Sequence, residues 1–406
     1  MSELTVFLAG DRVGRLIRKD NGNMQFRYEP GYAGPAVSQS LPVRAEAYPH
    51  RACQAVFGGL LPEGDVREAV ARNLGASSAN YYALLEALGG DCAGALTMLE
   101  PDQDLPTVPE EENLDELALD SLLHELPQRP LAADPEEGIR LSLAGAQPKL
   151  PVIIDEHEQI SLPLNAAAAT THIIKPEPSR FPGLVDNEAF CMDLAHAVGL
   201  PAARTAKRVT RSGLAYLLVE RYDRDVTADP IGRLHQEDFC QAMGRPSEYK
   251  YQQEGGPSIS DAVSLLRSSS VRAAHDLITL WRAVVFNWLI GNCDAHAKNF
   301  SLLYDRAAPA LAPLYDLVST TVYPQLTTRL AMSIDGARRI DEVDARAWAV
   351  LADEIKYNRR FVITETSDLV GRVIEESRKL LDGEVHNNSM ARSIADGIEK
   401  RVGTGG

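Results

Sequence analysis

Three side chains in the second half of this 406-residue chain have the types and spacing to move a phosphoryl group. Asp294 and Asn299 lie five residues apart in Gly291-Asn292-Cys293-Asp294-Ala295-His296-Ala297-Lys298-Asn299-Phe300-Ser301, the D-x-x-x-x-N spacing of a kinase catalytic loop. In such a loop the carboxylate faces a hydroxyl nucleophile, and the amide one loop-turn later ligates magnesium on the ATP phosphates. Lys298 is a candidate to neutralise charge on the group in transit. Two short predicted strands follow, Phe300–Tyr304 and Ala310–Leu314 around an Asp305-Arg306 turn, and then Asp316. Loop, hairpin and second aspartate form the kinase order, with Asp316 as a metal ligand. The five-residue spacing alone is common; its surroundings give it weight.

The elements around these residues are legible as periodicities. Apolar residues at 277, 280, 281, 284, 285, 288 and 289 form a helical stripe that Phe286, Ile278 and Ile290 widen, so the helix before the loop is predicted to be buried on most sides. Gly291 is its predicted stop, and Trp281 and Trp288 read as core. Lys175 closes the apolar strand His172-Ile173-Ile174. A strand-end lysine is ordinarily a solvated edge residue, but a kinase needs one to hold the α- and β-phosphates. Glu188, early in a predicted helix over Asn187–Val198, is a candidate to orient it, although an acidic first turn also suits the helix dipole. Ser142-Leu143-Ala144-Gly145-Ala146-Gln147-Pro148-Lys149 precedes the strand Leu150–Ile154. Its small residues would let backbone N–H groups approach phosphates, or it is an ordinary turn. Leu214–Arg221 reads as a further strand.

At the N-terminus, Thr5–Ala9, Val13–Ile17 and Met24–Tyr28 predict a β-meander, with Asn21-Gly22 a strong hairpin signal. Residues 53–99 are expected to be short helices broken at Gly58-Gly59, Gly75 and Gly89-Gly90. Between Pro101 and Leu117 stand seven acidic residues, three prolines and no basic residue, which predicts a solvated linker or long loop. The result is an α+β chain, strand-rich first and helical from about Leu234.

Composition narrows the function classes. At 45% apolar residues the chain is expected to be globular, and its net charge of −16 argues against a direct, sequence-independent grip on DNA. Five scattered cysteines without a C-x-x-C pair suit reduced thiols. No leader or spanning segment is evident, so a cytoplasmic protein with no membrane association is expected.

SLAGAQPK (142–149), THIIK (171–175), NEAFCMDLA (187–195), VERYDR (219–224), HQEDFCQAMG (235–244), GNCDAHAKNFS (291–301) and PLYD (313–316) occur in the order seen in HipA-type kinases. The chain resembles that family from about residue 140 to 320, and the N-terminal meander is compatible with it; residues 335–406 add little. The resemblance implies a two-lobed protein-kinase-like fold: an N-terminal subdomain over 1–100, an acidic linker over 101–120, the rest of a strand-rich N-lobe over 121–233, and a helical C-lobe over 234–406. It implies Mg2+- and ATP-dependent phosphorylation of serine or threonine on a protein, for HipA itself glutamyl-tRNA synthetase, which slows growth. Asp294 would be the base, Asn299 and Asp316 the metal ligands, and Lys175 a phosphate ligand. Ala144, Gly145, Ala146 and Gln147 would form the phosphate loop. Glu220 and Tyr222 would hold adenine through their backbone, with Gln236 nearby. Ser142 would be an autophosphorylation site that silences the enzyme, and a HipB-like antitoxin would be the partner that contacts DNA. Pro176, directly after Lys175, is a departure. The alternatives are a small-molecule phosphotransferase, a pseudokinase co-repressor, and a hydrolase using Ser142, Cys293 or His296. The last lacks a G-x-S-x-G elbow.

Overall fold

The computed structural model describes residues 2–101, 103–132, 140–145, 147–305 and 308–404. It divides into two compact units. One holds the chain up to Pro176 with Arg208–Glu248 and Leu302–Ala308; the other holds Glu177–Lys207, Tyr249–Ser301 and Pro309 onward. The division therefore does not fall at a single boundary near residue 234. Residues 177–207 join the second unit because their helix, Leu184–Ala197, packs on the helices Arg359–Asp382 and Ser389–Thr404.

In the first unit the predicted meander is present. Ser2–Leu8, Asp11–Arg18 and Met24–Tyr28 pair antiparallel, with Leu4 opposite Leu16 and Leu16 opposite Phe26. Gly22 takes φ +83° in the predicted Asn21-Gly22 turn, a conformation without steric cost for glycine. The inward residues Leu4, Val6, Leu16 and Phe26 pack with Phe57, Leu60, Leu84 and Leu88 from the following helices. Leu96–Leu99, expected to be helical, is instead a fourth strand beside Ser2–Leu8. All four of its residues are buried, so the run shows no alternation to distinguish strand from helix.

A six-stranded sheet carries Lys175. Thr205–Val209, Ala215–Glu220, His172–Pro176, Leu150–Ile154, Ile160–Pro163 and Glu111–Leu114 lie in that spatial order. Glu111–Leu114 falls where a linker was expected, and the helix Glu116–Glu125 follows it, capped by Asp115. Glu111, Glu112 and Asn113 are exposed and Leu114 is buried. Charged side chains suit an edge strand, and their acidity hides the backbone pairing that makes it one.

Two buried polar clusters join the N-terminal meander region to the rest of this unit. Asp91 accepts from Arg224 at 2.8 Å, Arg233 at 3.1 Å and Thr170 Oγ1 at 2.6 Å, and Asp223 accepts from Arg221 at 2.8 Å and Gly94 N–H at 2.6 Å. Asp91, Arg221, Asp223 and Arg224 are all nearly inaccessible. Burial alone would raise the Asp91 pKa, but the three guanidiniums overcome it and hold the carboxyl below the usual range. In the second cluster, buried Glu237 accepts from Ser38 Oγ at 2.5 Å, Gln39 N–H at 2.9 Å and the Tyr304 hydroxyl. Burial outweighs those donors and pushes its carboxyl up to about 7.

The second unit is built on the helix Ala273–Ile290, close to its predicted extent. Trp281 and Trp288 are core, as expected, and both meet Trp348 edge-on at 5.6 Å. Leu184–Ala197 starts three residues earlier than predicted because the Glu177 carboxylate accepts from the N–H groups of Gly183 and Val185, capping the helix from a distance in sequence. Among the described residues no helix is long and apolar enough to cross a membrane, and all five cysteines are buried and unbridged.

Asp91→Ala leaves buried guanidiniums without their carboxylate, so it is expected to destabilise the fold by about 3–5 kcal/mol; chemical unfolding followed by circular dichroism measures this, and an unchanged midpoint contradicts it. Glu237 gives a pH signature. Its folded pKa is raised, so its contribution to stability is full below the ordinary glutamate range and is lost as pH climbs through about 7. Glu237→Gln is expected to flatten the fall in unfolding free energy between about pH 4 and pH 8.

Candidate active site

The loop carrying Asp294 begins where the long helix stops. Gly291 takes φ +78°, and a Cβ there would overlap Thr321 Oγ1, so both conformation and space require glycine. The Gly291 carbonyl accepts from Thr320 N–H at 3.0 Å, Thr320 Oγ1 at 3.1 Å and Thr321 N–H at 3.2 Å. Thr320 Oγ1 accepts in turn from Cys293 N–H at 2.9 Å. On the helix side, Asn292 Nδ2 donates to Asn287 Oδ1 at 2.8 Å, and Asn292 Oδ1 accepts from Asp294 N–H at 3.0 Å. The strand Arg329–Ile334 adds a bond from Ala331 N–H to the Cys293 carbonyl at 2.9 Å. Backbone and side-chain bonds thus fix residues 291–294 from three directions while the Asp294 side chain stays exposed.

The rest of the motif folds tightly behind Asp294. His296 N–H donates to the Asp294 carbonyl at 2.8 Å and to Asn299 Oδ1 at 3.2 Å. Lys298 is buried, and its carbonyl accepts from the Tyr315 hydroxyl at 2.7 Å, which itself lies 2.7 Å from Ser301 Oγ. Tyr315 therefore ties the loop to the residue preceding Asp316. The expected strands are present as Ser301–Asp305 and Ala308–Leu311. The second starts and ends earlier than predicted and stops short of Pro313; Arg306 lies outside the described residues. Asp316 is half-buried at φ +53°, a left-handed conformation that costs a non-glycine residue about 1 kcal/mol or more and clusters at functional sites. Just beyond it, Ser319 is clamped by Asn187, whose Oδ1 accepts from Ser319 N–H at 2.7 Å and whose Nδ2 donates to its carbonyl at 2.8 Å. Glu188, next to Asn187, is buried.

The remaining candidates lie in the first unit. Lys175 is buried in the central strand of its sheet, opposite Leu217, and Pro176 closes the strand opposite Tyr216. It is therefore not a solvated edge residue. Ser142 is fully buried, and its hydroxyl donates to the Leu60 carbonyl at 2.9 Å. Gly145 takes φ +119°, its carbonyl accepts from Glu63 N–H at 3.0 Å, and Lys149 Nζ donates to the Ala144 carbonyl at 2.7 Å. Ala144 and Gln147 are half-exposed, and Ala146 lies outside the described residues. Glu220 is exposed at the end of its strand, and the Tyr222 hydroxyl donates to Gln236 Oε1. The residues between and after them, Arg221, Asp223 and Arg224, belong to the buried ionic cluster. Charge alternation in VERYDR was the one signal for that cluster, and it reads equally as a solvated turn.

Cys293 is disfavoured as a nucleophile, and two histidines of the matched motifs, His235 and His172, are disfavoured as bases. Burial raises the pKa of the Cys293 thiol and pushes the His235 imidazole down to about 4, where it is neutral and donates from Nε2 to the Val37 carbonyl at 3.1 Å. His172, partly buried, also has a lowered pKa.

An α+β fold with this loop and aspartate order defines a kinase-like protein. Residues 141–379 match the family described as "HipA-like C-terminal domain" and residues 4–99 the "HipA N-terminal domain". A Sinorhizobium fredii protein named "Putative kinase Y4mE" is 43% identical over 97% of this chain and 96% of its own. The "Serine/threonine-protein kinase toxin HipA" of Shewanella oneidensis is 30% identical over 77% of this chain and 74% of its own. The fold superposes with TM-score 0.84, at 24% identity and over 98% of this chain and 96% of the other, on a chain of the solved complex of Shewanella oneidensis HipA, HipB and operator DNA. The chain belongs to the HipA family of kinases.

Gly291→Ala combines left-handed strain with overlap onto Thr321. It is expected to lower stability by about 2–4 kcal/mol, read from the melting temperature; a wild-type value contradicts the account of the loop.

Proposed function

We propose that the protein is a serine/threonine kinase that transfers the γ-phosphate of ATP to a hydroxyl on a protein target. The observation that carries this reading is an exposed carboxylate, Asp294, on a backbone fixed from three directions, five residues ahead of Asn299 and followed by the left-handed Asp316. Asp294 takes the proton from the attacking hydroxyl. Lys298 lowers the cost of charge in the loop, and Lys175 holds the α- and β-phosphates. The Asn299 amide oxygen and the Asp316 carboxylate are hard oxygen donors, the chemistry that magnesium prefers, and would hold that ion. Bound magnesium neutralises phosphate charge. The Glu220–Tyr222 backbone holds adenine, with Gln236 oriented by the Tyr222 hydroxyl, and residues 144–147 cradle the phosphates.

Ser142 is the self-phosphorylation site in this reading. Its hydroxyl is buried, and a phosphate dianion cannot be accommodated there without solvation or cationic partners. Modification therefore requires the 142–147 segment to leave Leu60 and Glu63, which dismantles the phosphate cradle. Likeness to a relative named as a serine/threonine-protein kinase toxin supports a protein target; the resemblance to HipA would place that target in translation, such as glutamyl-tRNA synthetase, in the cytoplasm. A HipB-like antitoxin as the DNA-contacting partner is supported by the solved relative's assembly and by this chain's net charge of −16.

Incubation with labelled ATP and magnesium, followed by peptide mapping, tests the proposal. Label is expected on Ser142, and Asp294→Ala is expected to slow its appearance by about 10²–10⁴-fold. An unphosphorylated chain that neither binds ATP nor labels itself overturns the reading.

A further inference from the structure

Among the described residues the Asp294 carboxylate has one side-chain partner, on a segment to which no sequence motif pointed. The Tyr251 hydroxyl donates to Asp294 Oδ1 at 2.8 Å, and its ring meets the His296 ring edge-on at 5.2 Å. Among the described residues no group bonds Asp294 Oδ2. The segment presenting Tyr251 is itself fixed. The Tyr251 carbonyl accepts from Glu254 and Gly256 N–H at 3.0 Å each. A Cβ at Gly256 would overlap the carbonyls of Tyr249 and Tyr251, so the turn closes only with glycine. Gln252 Oε1 accepts from Ser333 N–H at 2.7 Å and Oγ at 3.0 Å, and Gln253 Oε1 accepts from Arg329 at 2.7 Å. Both partners lie on the strand that bonds the Cys293 carbonyl through Ala331. The base and the tyrosine that contacts it are thus referenced to the same strand.

We infer that Tyr251 is a positioning residue for the phosphoryl-transfer reaction: its hydroxyl fixes one oxygen of Asp294 so that the other is presented to the acceptor hydroxyl. This rests on the reading of Asp294 as the base. An exposed carboxylate rotates about its terminal bond at little cost, and misdirection by about 1 Å costs a catalytic contact about 10²-fold. A donor fixed by its own turn removes that freedom. The hydroxyl leaves Oδ2 as the acceptor for the substrate proton, which passes to Asp294 as the oxygen–phosphorus bond forms and ADP departs.

The test uses the 406-residue chain after phosphatase treatment, with MgATP as the probe and ADP formation as the readout. Tyr251→Phe keeps the ring on His296 and removes only the hydroxyl. The limiting rate is expected to fall about tenfold, with half-saturating ATP and the melting temperature unchanged. Gln252→Ala, which loosens the turn from Ser333, is expected to lower the rate in the same direction but less. An unchanged rate in Tyr251→Phe overturns the inference. So does a faster one, since the hydroxyl would then be competing with the acceptor, and so does a parallel loss of melting temperature and ATP affinity. If the wild type forms ADP no faster than Asp294→Ala, the kinase reading itself fails and takes this inference with it.

Discussion

The carbonyl oxygen of Gly291 is the point on which the course of the loop carrying Asp294 depends. A left-handed turn aims it at Thr320 and Thr321, and three donors converge on it. From that contact Thr320 reaches Cys293, and Asn292 reaches both back into the helix and forward to Asp294. Each bond is worth about 1 kcal/mol net, so no single one explains the loop. Their convergence does: a chain that must leave a buried helix has few ways to satisfy its backbone groups, and this one leaves a carboxylate exposed at a fixed address. Tyr315 and Asn187 extend the same frame to the segments flanking Asp316.

The first unit is ordered by different means. Its two polar clusters bind the meander region to the start of the Lys175 strand through Asp91 and Thr170, and to Tyr304 through Glu237. Buried ion pairs of this kind are weak sources of net stability because desolvation offsets the attraction. Their effect is geometric. Arg221 and Arg224 flank Tyr222 in sequence and are held by Asp91 and Asp223, so the backbone at Glu220–Tyr222 has a fixed course. The Ser142 loop is held by a neutral bond to Leu60, which a change of charge on Ser142 would abolish.

Much of the fold was legible in the sequence because it repeats with a period. The helix before Gly291 and the Met24–Tyr28 hairpin strand carry their own pattern, and Leu150–Ile154 was marked by its β-branched residues rather than by a period. Leu96–Leu99 did not, since a strand buried on both faces looks like any apolar run, and Glu111–Leu114 did not, since an edge strand can be acidic. The candidate site was legible where the chemistry proposed for it would fix spacing, as with Asp294, Asn299 and Asp316. Tyr251, Thr320, Asn187 and Arg221 were not. They bond to the candidate residues or to their neighbours from elsewhere in the chain or by burial, and a single tyrosine or threonine carries no local sign of the partner that folding brings to it.

The most direct test of the central claim is a calorimetric titration of ATP with and without magnesium into the wild type, Asn299→Ala and Asp316→Ala. Magnesium is expected to tighten ATP binding in the wild type, and each substitution is expected to remove most of that gain while leaving magnesium-free binding intact. Equal magnesium dependence in all three proteins would contradict the claim, because Asn299 and Asp316 would then hold no metal and the loop's spacing would be coincidence.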